Sequence, residues 1–320
     1  MPDKPDLNSS DKPLADRSST SSRDRDRVAT TDPTAQPSAS RWTQRQRLLI
    51  WVVIGFLPPG LLVWLLHPSL SRVSQITLRT EFPTKAVSAF FIVLATWIVS
   101  RMEKRSFADY GIPPRQAFAR RFWEGSIWGF LALSGMLLFI RWSGDLQIDS
   151  VSLRGDTAFR YALGWGAVFL GVSITEEFAF RGYWLFVTSR RLRFWLAALF
   201  LSLVFAAAHL PNPGEDTLGI LQVFTFGMLL CLTIRRTGNL WFAVGFHAAW
   251  DWAETFFYGT ADSGLIGQGH FLNTSVHGPN WITGGSAGPE GSIFAIVVLL
   301  LCALLVHFRF PTATYPDRPV

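Results

Sequence analysis

Residues 164–188 read GWGAVFLGVSITEEFAFRGYWLFVT, an apolar run that carries Glu176, Glu177 and Arg181 near its centre. About 20 mostly apolar residues suffice for a helix to cross a bilayer. An ionisable side chain near the middle of such a span costs roughly 2.5 to 3.5 kcal/mol on insertion scales, so three of them in one span need a common reason. Glu177 and Arg181 are four apart, which lets one carboxylate pair with the guanidinium on a single helix face. Glu176 lies about 100° around the helix and is left free. One glutamate can therefore be structural and the other chemical.

Working outward, seven more apolar runs cover 48–66, 84–101, 122–141, 194–210, 217–234, 239–258 and 291–309. The expected fold is all-α, a polytopic transmembrane helical bundle of about eight spans. Composition agrees: 49% of the 320 residues are hydrophobic and 16% charged, against about 25% charged in a typical soluble protein. An ordinary cytosolic enzyme is thereby disfavoured. Residues 1–46 are polar and charged with few large apolar residues, and are expected to form a disordered cytoplasmic tail. They carry no signal-peptide pattern, so the first span is read as a signal anchor. The integral-membrane domain is then 47–310, and 311–320 is a short C-terminal tail. Pro58, Pro59 and Gly60 predict a kink in the first span; the second is short unless Phe82 and Pro83 enter it. No regular element is signalled in the Gly-rich segment 259–290. Cys231 and Cys302 both lie in apolar runs, which supports neither a disulfide framework nor cysteine-ligated zinc.

The net charge of +6 resides in loops. Arg41, Arg45 and Arg47 precede the first span. Arg101, Lys104, Arg105, Arg115, Arg120 and Arg121 fill the second loop, Arg190, Arg191 and Arg193 the fourth, and Arg235 and Arg236 the sixth, while Arg309 follows the last span. On the positive-inside rule these are cytoplasmic, which accounts for the basic balance without nucleic acid. Loops 211–216 and 259–290 hold no Lys or Arg; Arg154 and Arg160 lie in the third loop, and Arg72, Arg79 and Lys85 make the first loop the poorest fit. The reading is a bacterial plasma-membrane protein with both termini cytoplasmic.

Two other spans carry polar groups: His209 stands just before Pro211, and His247, Asp251 and Glu254 share one face of span seven. Counting about 1.5 Å per residue from the Arg-rich ends, Glu176 lies roughly 20 Å up, His209 roughly 22 Å, His247 roughly 12 Å and Asp251 roughly 18 Å. The agreement requires span four to continue through Arg181 to Val187. Each cluster alone has a structural explanation, as an ion pair, a hydrogen-bonded histidine at a helix end, or a packing pair. Three costly insertions at similar depth point instead to one site. Glu254 is expected to line a wet outer vestibule, and His67, His270, His277 and His307 to do no chemistry. Two histidines and a carboxylate can bind zinc while leaving a position for water; His209, His247 and Glu176 form that set. Without metal, a glutamate with a histidine activates water as general base, while another histidine and a polar group stabilise the oxyanion. There is no His-Glu-x-x-His motif, and the residues leave both routes open.

These residues resemble the CPBP intramembrane proteases, which include type II CAAX prenyl endopeptidases and the bacteriocin-processing and immunity (Abi) proteins. The family's Glu-Glu-x-x-x-Arg is similar to Glu176-Glu177 through Arg181, its Phe-x-x-x-His to Phe205 through His209, and its His-x-x-x-Asn/Asp to His247 through Asp251. The resemblance covers about residues 105–258. It implies an intramembrane endopeptidase in which Glu176 is the water-activating base assisted by His209. His247 with Asp251 would stabilise the oxyanion or contribute to a metal site, while Glu177, Arg181 and Phe205 support the structure. Asp251 stands where prenyl-processing members have Asn, and an ionised Asp cannot donate to an oxyanion, which favours a metal or orienting role. The implied partners are membrane lipid and a peptide or prenylated-protein substrate, with no nucleic acid, and the implied cofactor of the metalloprotease route is Zn2+. A CAAX substrate is cytosolic, whereas the depth count places the polar layer toward the outer half of the membrane. The rivals are a non-proteolytic scaffold or immunity protein and a proton-coupled transporter. Against them, every motif position is occupied and the two halves show no evident internal repeat.

Overall fold

The computed structural model describes residues 42–66 and 75–319. The tail expected over 1–46 lies, as far as residue 41, outside the described residues, as do His67 and Arg72. The helices are α1 (Gln44–Leu66), α2 (Leu78–Glu103), α3 (Arg120–Trp142), α4 (Gly155–Glu177), α5 (Trp184–Leu192), α6 (Phe194–His209), α7 (Thr217–Thr237), α8 (Leu240–Trp252), the single turn α9 (Asn280–Thr283) and α10 (Ile293–Arg309). All eight apolar runs are helical. Among the described residues, five bodies are long and apolar enough to cross a membrane: α1, α2, α3, the continuous Gly155–Leu192 body that contains α4 and α5, and α7. The helices α6 and α10 are shorter and apolar.

The ends differ from the sequence expectation in informative ways. Helix α2 starts at Leu78, where the Thr77 hydroxyl accepts from the Thr80 amide at 3.4 Å. Phe82 and Pro83 therefore do enter the span, and Arg79 and Lys85 are helical residues rather than loop charges. Helix α1 remains helical through Pro58 and Pro59. The α4–α5 body runs through Arg181 to Leu192, as the depth count required, with a π-helical stretch, Phe178–Tyr183, inserted between its two parts.

Close packing comes from glycine. A Cβ built on Gly125 would stand 2.1 Å from the Phe242 carbonyl oxygen, and one on Gly129 would stand 2.1 Å from that of Phe246. These two residues, one turn apart on α3, let its backbone touch that of α8 in the small-xxx-small manner of membrane helices. Gly245 returns the contact from α8 against Phe122. Trp123, Ile127, Leu131 and Leu138, on the other face of α3, are exposed and suit lipid. This seam sets the depth and rotation of α8, and so of His247 and Asp251. Gly129→Ala is expected to destabilise the protein by about 1–3 kcal/mol, because overpacking here meets backbone rather than a movable side chain. Leu131→Ala on the lipid face should shift stability by no more than about 0.5 kcal/mol. Thermal unfolding of the two variants in detergent checks both values.

Segment 259–290 is structured, contrary to the absence of any signal in its sequence. Strand β1 (Gln75–Ile76) pairs in parallel with β3 (Ile266–Gly267), and β2 (Leu146–Val151) pairs antiparallel with β4 (Leu272–Val276). The pairing runs from Leu146 opposite Val276 to Val151 opposite Leu272, with an irregularity between Ile148 and Ser150. The partners of this segment lie in two other loops, and strands of two to six residues leave no periodicity to read. Glycine permits the tight return at its end: Gly284 and Gly288 both have positive φ (79° and 112°), and a Cβ on Gly284 would collide with the Gly288 carbonyl.

Candidate active site

Two of the three motif-bearing helices, α4 and α8, pass from α to π geometry beside their polar residues. The change follows Glu177 in one and Trp252 in the other, where Ala253–Tyr258 is π-helical. Such wider turns recur at functional sites because they re-aim side chains within a continuous helix. Arg181 Nη1 donates to Glu177 Oε1 at 3.0 Å, and both side chains are buried. The same Glu177 oxygen accepts from His247 Nδ1 at 2.8 Å. Glu177 thus joins two helices, a role beyond the local pair that its spacing from Arg181 signals. The Arg181 guanidinium lies over the Phe205 ring at 4.0 Å from the centroid, and that ring is 4.6 Å from the ring of His209. Phe205 is therefore a spacer between the buried ion pair and a histidine.

The hydrogen bonds fix which ring nitrogens carry protons. His209 Nδ1–H donates to the Phe205 carbonyl at 2.8 Å; a carbonyl only accepts, so in the neutral ring Nε2 holds the lone pair. His247 Nδ1–H donates to Glu177, and its Nε2 stands 3.5 Å from Asp251 Oδ2 and 3.8 Å from Glu176 Oε2. The Glu176 side chain is 29% exposed and that of Glu177 0%. The adjacent glutamates have divided into one buried and bonded and one facing open space.

That space is a cavity of about 430 Å³. Its polar wall includes Glu176, His209, His247 and Asp251, joined by Asp262 and Glu290 from segment 259–290. Its apolar wall includes Phe56, Ile76, Val168, Phe169, Val172 and Leu265. Sequence reasoning missed Asp262 and Glu290, although they are the only acidic residues in a segment without Lys or Arg. Burial is the main cause holding both carboxyls above the ordinary carboxylate range, and the charges of Asp251 and Glu290 add to the effect on Asp262. Glu215 is pushed up to about 7 by burial and by the nearby charges of Glu290 and Asp216. Glu254 does not line a vestibule: it is fully buried, because the turn around Glu290 covers the end of α8. His270, His277 and His307 lie outside the cavity lining.

The donor chemistry of His209, His247 and Glu176 fits zinc. Each imidazole has its Nδ1–H held by an oxygen acceptor, the outer-shell arrangement that leaves Nε2 as a ligand. The three ligand-type side chains whose donor atoms gather within 4.8 Å of one another among the described residues are a different group: Glu254, Asp262 and Glu290.

Comparison with known proteins agrees with the motifs. The family model described as type II CAAX prenyl endopeptidase Rce1-like matches residues 158–253, a stretch that begins in the first turn of α4, ends just past α8, and contains all three motifs. No curated protein and no solved structure matches the chain. Within a multi-pass helical body, the stretch 158–253 is thus similar to the type II CAAX prenyl endopeptidases and carries the three motifs in order.

Proposed function

We propose that the protein is an endopeptidase that hydrolyses a peptide bond of a membrane-delivered substrate, using a water activated by Glu176. The observation that carries this reading is the division of the two glutamates: Glu177 is occupied by Arg181 and His247, while Glu176 faces the cavity beside His247 Nε2. Glu176 takes a proton from water as the oxygen attacks the scissile carbonyl, then returns it to the leaving amine. His209, its ring fixed by the Phe205 carbonyl, presents Nε2 as a second acceptor for the water. His247 in its protonated form donates from Nε2 to the oxyanion, and Asp251 at 3.5 Å orients the ring. If zinc is resident, His209, His247 and Glu176 would hold it, and it would supply Lewis-acid polarisation of the carbonyl. The apolar wall beside the carboxylates suits an apolar side chain or a prenyl chain next to the cleaved bond.

The test is cleavage of a library of prenylated and unprenylated peptides by the purified protein in lipid, with and without a chelator. Cleavage by the parent supports a peptidase, and chelator sensitivity supports the metal route. A folded parent that cleaves nothing returns the balance to a scaffold or transporter.

The cavity also bears on topology. Ile76, Asn212, Asp262, Ser263 and Glu290 bring the first, fifth and seventh loops to its wall, at the end of the bundle opposite the Arg-rich loops. On the positive-inside rule that end is extracytoplasmic. A membrane-impermeant maleimide applied to intact cells should label His277→Cys, whereas Arg191→Cys should react only after lysis. The parent should stay unlabelled because Cys231 and Cys302 are buried. The opposite labelling pattern would invert the topology and open the site to the cytosol.

A further inference from the structure

Glu254, Asp262 and Glu290 take no part in the chemistry derived above, yet each places one oxygen within 4.8 Å of the other two. None of the three forms an ion pair with Lys or Arg among the described residues. Their hydrogen bonds hold the carboxylates in place: Ser263 donates through its amide and hydroxyl to Glu290 Oε1 at 2.7 and 2.9 Å, Thr255 Oγ1 to Asp262 Oδ2 at 3.2 Å, and the Glu290 amide to Glu254 Oε1 at 3.3 Å. Glu254 Oε2 remains buried without a hydrogen-bond partner among the described residues. A separate observation comes from α7. The Gln222 side chain is 2% exposed, its amide oxygen likewise has no partner among the described residues, and it lines the same cavity as Asp262 and Glu290. Helix α7 also packs against the turn that carries Glu290.

A buried carboxylate oxygen with no donor beside two further carboxylates is an all-oxygen set, and the unpartnered Gln222 carbonyl, on the cavity wall that Asp262 and Glu290 share, adds an oxygen of the same kind. Hard divalent cations prefer such sets, whereas zinc prefers nitrogen and sulfur donors. We propose that Glu254, Asp262 and Glu290 form a binding site for a hard divalent cation of the calcium, magnesium or manganese class, distinct from the His209–His247 pair. The ion joins segment 259–290 to the end of α8 and so fixes one wall of the cavity. Its role is structural and does not depend on the catalytic assignment.

The experiment uses the full chain in detergent, stripped with EDTA and then given CaCl2, MgCl2 or MnCl2. The expected result is a rise in Tm of roughly 5 °C with at least one of them, together with retention of about one equivalent of that metal after desalting. Asp262→Asn and Glu290→Gln should each lose the rise, whereas Glu176→Gln and His209→Ala should keep it. Should either carboxamide variant fail to fold, a bound-Mn2+ paramagnetic resonance signal in the parent, displaced by Ca2+, decides in its place. The proposal is overturned if none of the three ions shifts the parent or remains bound. It is equally overturned if the rise survives in folded Asp262→Asn and Glu290→Gln, or if His209→Ala abolishes it.

Discussion

Glu176→Gln is expected to lower the rate of peptide cleavage by roughly 10²- to 10⁴-fold, the usual contribution of a positioned general base, without unfolding the protein. The amide matches the carboxylate in shape and removes only its capacity to accept a proton. Little of the fold rests on that carboxylate: its nearest ionic contact, His247 Nε2, is 3.8 Å away, and the side chain is part-exposed to the cavity. Tm in detergent should therefore stay within about 0.5 kcal/mol equivalent of the parent, and the loss should appear in kcat. Cleavage at the parental rate by a folded Glu176→Gln protein would sink the assignment of the base. His209→Ala should also lose activity, and Phe205 marks the control: its carbonyl, not its side chain, holds the His209 proton.

Glu177→Ala should behave in the opposite way, losing about 3–5 kcal/mol of stability, because removing one partner leaves the other charge buried and uncompensated. Arg181 is 1% exposed and already has one nitrogen, Nη2, without a partner among the described residues. Losing Glu177 would strip Nη1 as well, and would take the acceptor from His247 Nδ1. Replacing both members by Leu is expected to restore much of the stability, since well-packed apolar residues often substitute for a buried ion pair at little cost. Activity should not return, because His247 still lacks the carboxylate that sets its ring. Chemical unfolding and cleavage assays on the two single variants and the double variant form the decisive set. A double variant that regains activity along with stability would show that Glu177 serves only Arg181.

The amino-acid sequence by itself determined what depends on local spacing. All eight expected apolar runs are helical, and five of the helical bodies among the described residues are long and apolar enough to cross a membrane. A separation of four residues brings Glu177 to Arg181, Phe205 to His209 and His247 to Asp251, and each of these pairs is in contact. Tertiary structure alone decided which distant group each residue meets. His247 bonds to Glu177 across 70 positions of chain, and Gly125 and Gly129 bring α3 onto the backbone of α8. Glu254, expected at a wet surface, is covered by the turn around Glu290. Segment 259–290 owes its strands to partners in other loops. Helical period fixes the direction in which a side chain points, but not the neighbour that comes to stand there. That neighbour is set by packing between segments remote in the chain, and at this site it separates the glutamate bonded to Arg181 and His247 from the one that faces the cavity.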